Sequence, residues 1–77
     1  MSDEREFSYG EKAVGLTFNP SNDPLVDAIK RGFASLIDEM NSLRLRAGHG
    51  EQSRLASIAI TEAQTAQMWA VKAATWR

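Results

Sequence analysis

The sequence predicts an all-α protein: an antiparallel helical hairpin with a short extended N-terminal arm, assembling as a homo-oligomer. Three observations carry this reading. Within residues 24–46, Val26, Ile29, Phe33, Leu36, Ile37, Met40 and Leu43 recur at the i, i+3, i+4, i+7 spacing of a helix. Residues 54–74, RLASIAITEAQTAQMWAVKAA, form a second helical stretch whose apolar and alanine arc is wider than one hairpin partner covers. Only a short connection around Gly48, His49 and Gly50 separates the two patterns, which makes the helices antiparallel neighbours.

Residues 1–13 are polar, with Phe7 and Tyr9 as isolated aromatics and Gly10 as a breaker. They read as a flexible arm, disordered over residues 1–5, ahead of a hairpin domain spanning 14–77 that assembles and binds. Val14, Leu16 and Phe18 alternate with Gly15 and Thr17, a period of two that reads as extended chain. Such a short piece pairs with another copy or lies across a helix.

Residues 19–24 are dense in turn formers and also start a helix. Asp23 suits the N-cap, Pro24 the first helical position and Asp27 the first turn, where the helix dipole favours an acid. The predicted helix, 24–46, carries one buried stripe, with Asp27, Arg31, Ser35, Asp38, Glu39 and Ser42 on the opposite face. Arg44 and Arg46 suit its C-terminal end and Gly48 a left-handed cap. His49, between two glycines with no ligand-type neighbours, reads as exposed linker.

The predicted second helix runs over 51–76. Leu55, Ile58, Ala59, Ala63, Ala66, Trp69, Ala70, Ala73 and Ala74 share one broad side, which Ile60, Val71 and Ala56 extend further round. Arg54, Ser57, Thr61, Gln64, Thr65 and Lys72 form a narrow polar strip, interrupted by Met68. A helix of this kind expects neighbours on more than one side, and a chain of 77 residues does not supply them all. Other copies are the expected source. Length allows one domain, and without cysteine neither a disulfide nor a thiolate metal site supports a small core, which again points to oligomerisation. No apolar run nears the ~20 residues that span a bilayer, so no membrane partner is expected. The acidic N-terminus lacks a signal-peptide core, so the expected location is the cytoplasm. A formal charge of −1 argues against a DNA or RNA polymer as partner.

Nothing in the sequence forms a catalytic constellation: one histidine, no cysteine and no phosphate-binding glycine loop ahead of a helix. No catalytic residue, metal ligand or cofactor is expected. What remains is binding or scaffolding. Lys30 and Arg31 follow a helix start, where free N–H groups and cations suit phosphate. Tyr9 and Phe18 are aromatics able to stack on a base. Thr61, Thr65 and Lys72 line the polar strip, where copies meeting around an axis would bring Lys72 side chains together and call for an anion between them. Each feature also has a plain reading: surface charge, a staple onto the first helix, or packing.

The stretches VGLTFNPSNDPLVDAIKRGF (14–33) and RLASIAITEAQTAQMWAVKAATW (54–76) resemble the small phage hairpin proteins that act as anti-CBASS cyclic-nucleotide sponges, grouped with the Thoeris anti-defence hairpin proteins. The resemblance covers about residues 14–76. It implies a homohexamer of helical hairpins that has no enzymatic activity. Such a protein binds cyclic oligonucleotide signals of bacterial defence and hides them from their effectors, in the cytoplasm of the infected host. It implies a cyclic dinucleotide site between paired protomers, with Lys30 at the phosphates and Asn19 and an aromatic nearby. The aromatic is Tyr9 or Phe18, and Tyr9 is preferred because Phe18 has a possible packing role. It also implies a cyclic trinucleotide site at three-fold positions, to which Thr61, Thr65 and Lys72 correspond. Some relatives carry arginine at the last position, and a lysine there loses the planar fork that grips phosphate with two bonds. The alternative is a structural helical oligomer or adaptor that binds a protein partner.

Overall fold

The computed structural model describes residues 6–77 and contains three helices: α1 (Tyr9–Val14), α2 (Pro24–Ala47) and α3 (Glu51–Ala74). The disordered tail expected over 1–5 lies outside the described residues. The hairpin is as predicted. Asp23 accepts the Leu25 N–H at 2.9 Å with Pro24 at the first helical position, so the chain enters α2 with an orphan donor satisfied. The exit is fixed by the turn: Gly48 and Gly50 take φ +75° and +99°, values that L side chains rarely adopt, and α3 begins at the next residue. Both long helices hold 24 residues, about 36 Å at 1.5 Å per residue.

The N-terminal segment differs from expectation. Residues 9–14 form a helix and 15–17 a turn, so the extended arm expected from the 14–18 alternation is absent among the described residues. Three local devices explain this. Ser8 and Glu11 form a reciprocal capping box, with Glu11 N–H to Ser8 Oγ at 3.1 Å and Ser8 N–H to Glu11 Oε1 at 2.9 Å. Gly15 closes the helix in the left-handed conformation, and the Leu16 N–H reaches back to the Glu11 carbonyl at 3.0 Å. Gly10 belongs to the helix rather than breaking it, because it is the residue on which α1 lies against α2. A Cβ there would stand 2.1 Å from the Ala34 carbonyl oxygen. The Gly10 N–H donates to Asp38 Oδ1 at 2.7 Å, so Asp38, expected on a solvent face, anchors α1.

Val14, Leu16, Ala34, Ile37 and Ile60 form the core, with Ala13, Phe33, Met40 and Ala63 packed against it. The inward face of α2 is Val26, Lys30, Ala34 and Ile37. The single stripe expected for this helix therefore divides. Leu36, expected in the stripe, lies about 115° from the centre of this face on the helical wheel and is exposed, as is Leu25. On α3, Ala56, Ile60 and Gln67 face inward, while Leu55, Ile58 and Trp69 project from the far side. The cause is geometric. The chain measures 42 × 37 × 12 Å, a single layer of helices, and a helix in one layer buries only the flank that meets its neighbour. Stable domains stack at least two layers, and the wide apolar arc of α3 faces outward with no second layer on it.

Candidate functional site

Among the described residues, the N-terminal turn, the start of α2 and the end of α3 enclose a cavity of about 280 Å³. Phe18, Asn19, Val26, Lys30, Val71 and Thr75 are among its walls, and its surface is mostly carbon. Three of the four residues expected at the dinucleotide site, Phe18, Asn19 and Lys30, meet here. Lys30 is 5% exposed although it carries a charge. Burying an ammonium is costly unless polar partners replace its water. Lys30 Nζ donates to the Gly15 carbonyl at 3.0 Å and to the Phe18 carbonyl. It also lies 5.4 Å from the centre of the Phe18 ring, within cation–π range.

Phe18 is 72% exposed, so the packing role weighed for it from sequence is absent. Its ring is an open aromatic face over a cation at a cavity wall. Asn19 is a bracket rather than an open contact. Its Nδ2 donates to the Asp23 carbonyl at 3.1 Å and to Asp27 Oδ1 at 3.0 Å, while its Oδ1 accepts from Ser21 Oγ at 2.6 Å. It ties the 19–23 turn to the first turn of α2.

Tyr9 sits elsewhere in the same chain. Its ring lies 5.1 Å from the Arg44 guanidinium carbon, and Arg44 is fourteen residues beyond Lys30 on α2, about 21 Å along the axis. Within one chain the aromatic beside Lys30 is Phe18, and Tyr9 lies beside Arg44 instead. Sequence reasoning missed Val26, Val71 and Thr75. The first is a core-type residue, and the other two come from the far end of the hairpin, which only the antiparallel return brings close. The Thr75 hydroxyl is directed to the Val71 carbonyl at 2.9 Å, which leaves its oxygen lone pairs toward other donors.

Thr61, Thr65 and Lys72 share one exposed face of α3, as their spacing requires. Thr65 Oγ1 donates to the Thr61 carbonyl at 3.2 Å, and Lys72 Nζ lies 5.7 Å from the Trp69 ring centre. Thr61 and Lys72 stand roughly 16 Å apart along the axis, so one chain does not bring them to one point. Arg54 continues the same strip but is held by Glu51 through two bonds of 2.9 and 2.6 Å. That pairing moves the Glu51 carboxyl below and the Arg54 guanidinium above its ordinary pKa.

The family model that matches is described as Acb2/Tad1, hairpin domain, over residues 11–75. The chain belongs to the Acb2/Tad1 hairpin family. This is the anti-CBASS and anti-Thoeris sponge family to which the sequence bears its resemblance. No curated protein and no solved structure matches the chain. The family match starts inside α1 and ends at Thr75, so it takes in the cavity, both helices and the connecting turn.

Proposed function

We propose that the protein is a non-enzymatic sponge for cyclic dinucleotides, blocking CBASS-type defence from the cytoplasm of an infected bacterium. The observation that carries this is Lys30: a nearly buried ammonium in the wall of an apolar cavity, beneath an open aromatic ring. A cyclic dinucleotide presents anionic phosphates and flat bases, and this arrangement meets both. Stacking on an aromatic contributes about 1–3 kcal/mol per base and tolerates every base.

Size supports a site shared between copies. The cavity of about 280 Å³ falls just short of the ~300–1,000 Å³ range of ligand pockets. It encloses part of such a ligand, and a second chain supplies the rest. The outward apolar residues of α2 and α3 are the material for that assembly, a homohexamer in this reading. A second site, for a cyclic trinucleotide, forms where three α3 strips bring Thr61, Thr65 and Lys72 together. The exposed row of Leu55, Ile58 and Trp69 also favours the alternative, a helical oligomer or adaptor for a protein partner.

Thermal unfolding with a panel of cyclic di- and trinucleotides separates the two, followed by recovery of ligand from heat-denatured protein. The sponge reading expects an upward shift with cyclic dinucleotides and intact ligand returned. No shift with any member selects the adaptor, and a converted ligand would refute sequestration.

A further inference from the structure

An ammonium has three N–H donors. In Lys30 two of them are committed to the carbonyls of Gly15 and Phe18, fifteen and twelve residues away in sequence. The same cation lies under the Phe18 ring. Lys30 therefore grips both ends of the 15–18 turn and the side chain at its far end. Little else in the turn does so. The Phe18 N–H closes onto the Gly15 carbonyl at 2.9 Å, and Leu16 alone is sunk in the core. The Phe18 ring is mostly exposed, so packing does not fix it.

We infer that Lys30 is a positioning residue that builds the cavity before any ligand arrives: its ammonium sets the 15–18 turn, and thereby the Phe18 ring, and presents its one remaining N–H to a single anionic oxygen. The last clause rests on the proposed function, and the positioning role does not. Arginine does not replace lysine here. A compact ammonium serves two carbonyls converging on one point, whereas a planar guanidinium spreads its donors in a rigid fork. The Gly15 carbonyl also accepts from the Phe18 N–H, so loss of Lys30 leaves the far end of the turn that one closing bond and removes its polar tie to α2, with Leu16 the remaining anchor in the core.

Three measurements on the full chain test this. In ligand-free wild type, NMR of the three lysine side chains is expected to show one ammonium in slow exchange with water. That signal belongs to Lys30 and is coupled across hydrogen bonds to the Gly15 and Phe18 carbonyl carbons. In Lys30→Met, the Phe18 amide is expected to exchange roughly tenfold faster, as losing bonds to a charged donor implies, while α2 and α3 amides keep their protection. Lys30→Arg is expected to loosen the turn as the methionine variant does and to weaken cyclic di-GMP binding despite its charge. Absence of a protected Lys30 ammonium, or unchanged Phe18 exchange in Lys30→Met, would overturn the inference. If Lys30→Met does not fold, the wild-type ammonium signal decides alone. If wild type shows the ammonium signal and binds no cyclic dinucleotide, the sponge reading fails and the positioning role stands.

Discussion

Gly10→Ala sets two effects of opposite sign against each other. In an isolated helix, alanine is favoured over glycine by about 1 kcal/mol. In this protein the new Cβ would lie 2.1 Å from the Ala34 carbonyl oxygen and 2.9 Å from both the Ala34 carbonyl carbon and Asp38 Oδ1. Two of these three atoms are backbone, so α1 itself must move. Overpacking costs typically about 1–3 kcal/mol, and displacement also stretches the 2.7 Å bond from Gly10 N–H to the Asp38 carboxylate. Bonds to charged groups contribute about 1.5–3 kcal/mol. Subtracting the propensity gain leaves a net loss of roughly 1.5–5 kcal/mol. At about 4–8 °C per kcal/mol for a domain of this size, Tm falls by roughly 6–40 °C. A helix of six residues has no stability of its own, so the damage is expected to spread to Val14 and Leu16 and to remove the Gly15 carbonyl from Lys30. Circular dichroism melts at one fixed protein concentration measure the shift, and hydrogen exchange over residues 9–16 locates it. A variant that melts at or above wild type would show that propensity outweighs the contact and that α1 does not sit this close to α2.

Three further outcomes are expected. Phe18→Ala weakens cyclic dinucleotide binding by about 1–3 kcal/mol in calorimetry, and Tyr9→Ala does so by less; the reverse order would place Tyr9 of a neighbouring copy on the base. Ile58→Glu puts a charge on the outward face of α3 and is expected to lower the mass measured by light scattering while helical content stays, whereas an unchanged mass would move the interface elsewhere. Lys72→Glu abolishes cyclic trinucleotide binding and leaves dinucleotide binding intact in the same titrations, and loss of both would collapse the two sites into one.

How much of this was legible in the sequence follows from which forces are local. Both long helices were legible because their ends carry local chemistry: Asp23 and Pro24 at one, Gly48 and Gly50 at the other. The start of α1 is equally local, since Ser8 and Glu11 stand at capping-box spacing. Two stronger-looking signals masked it, the glycine at position 10 and the alternation of Val14, Leu16 and Phe18. Neither fixes a conformation in so short a piece, and docking on Ala34 and Asp38 decided it. The buried face of α2 was misread for a related reason. Periodicity ranks residues by hydropathy, and Lys30 sits inward while Leu36, expected in the buried stripe, sits outward. Burial of Lys30 depends on carbonyls delivered by the 15–18 turn, which no count along α2 reveals. Phe18, Asn19 and Lys30 were grouped by the family resemblance rather than by any count along the chain, and the fold brings them to one cavity. Val71 and Thr75 were not, since only the hairpin return places them there.

The site and the thin shape of the chain have a common physical origin. A sponge works by affinity, and affinity for a flexible-rimmed cavity is reduced by the cost of ordering its walls. Here the walls are ordered in advance by bonds within the chain: Asn19 ties the 19–23 turn to Asp27, Lys30 ties the 15–18 turn to α2, and Gly10 ties α1 to Asp38. What a single layer of helices lacks is a roof. In the proposed reading, the apolar face that would seat another layer and the partial cavity that would hold half a ligand are two aspects of one incomplete protomer. In that reading a second copy completes both at once. Ligand held between copies then stabilises the assembly by mass action, and the assembly excludes water from the Lys30 ammonium, strengthening its attraction to phosphate as the local dielectric falls. Binding and oligomerisation are on this argument a single coupled equilibrium, in which the outward face of α3 contributes to affinity without touching the ligand.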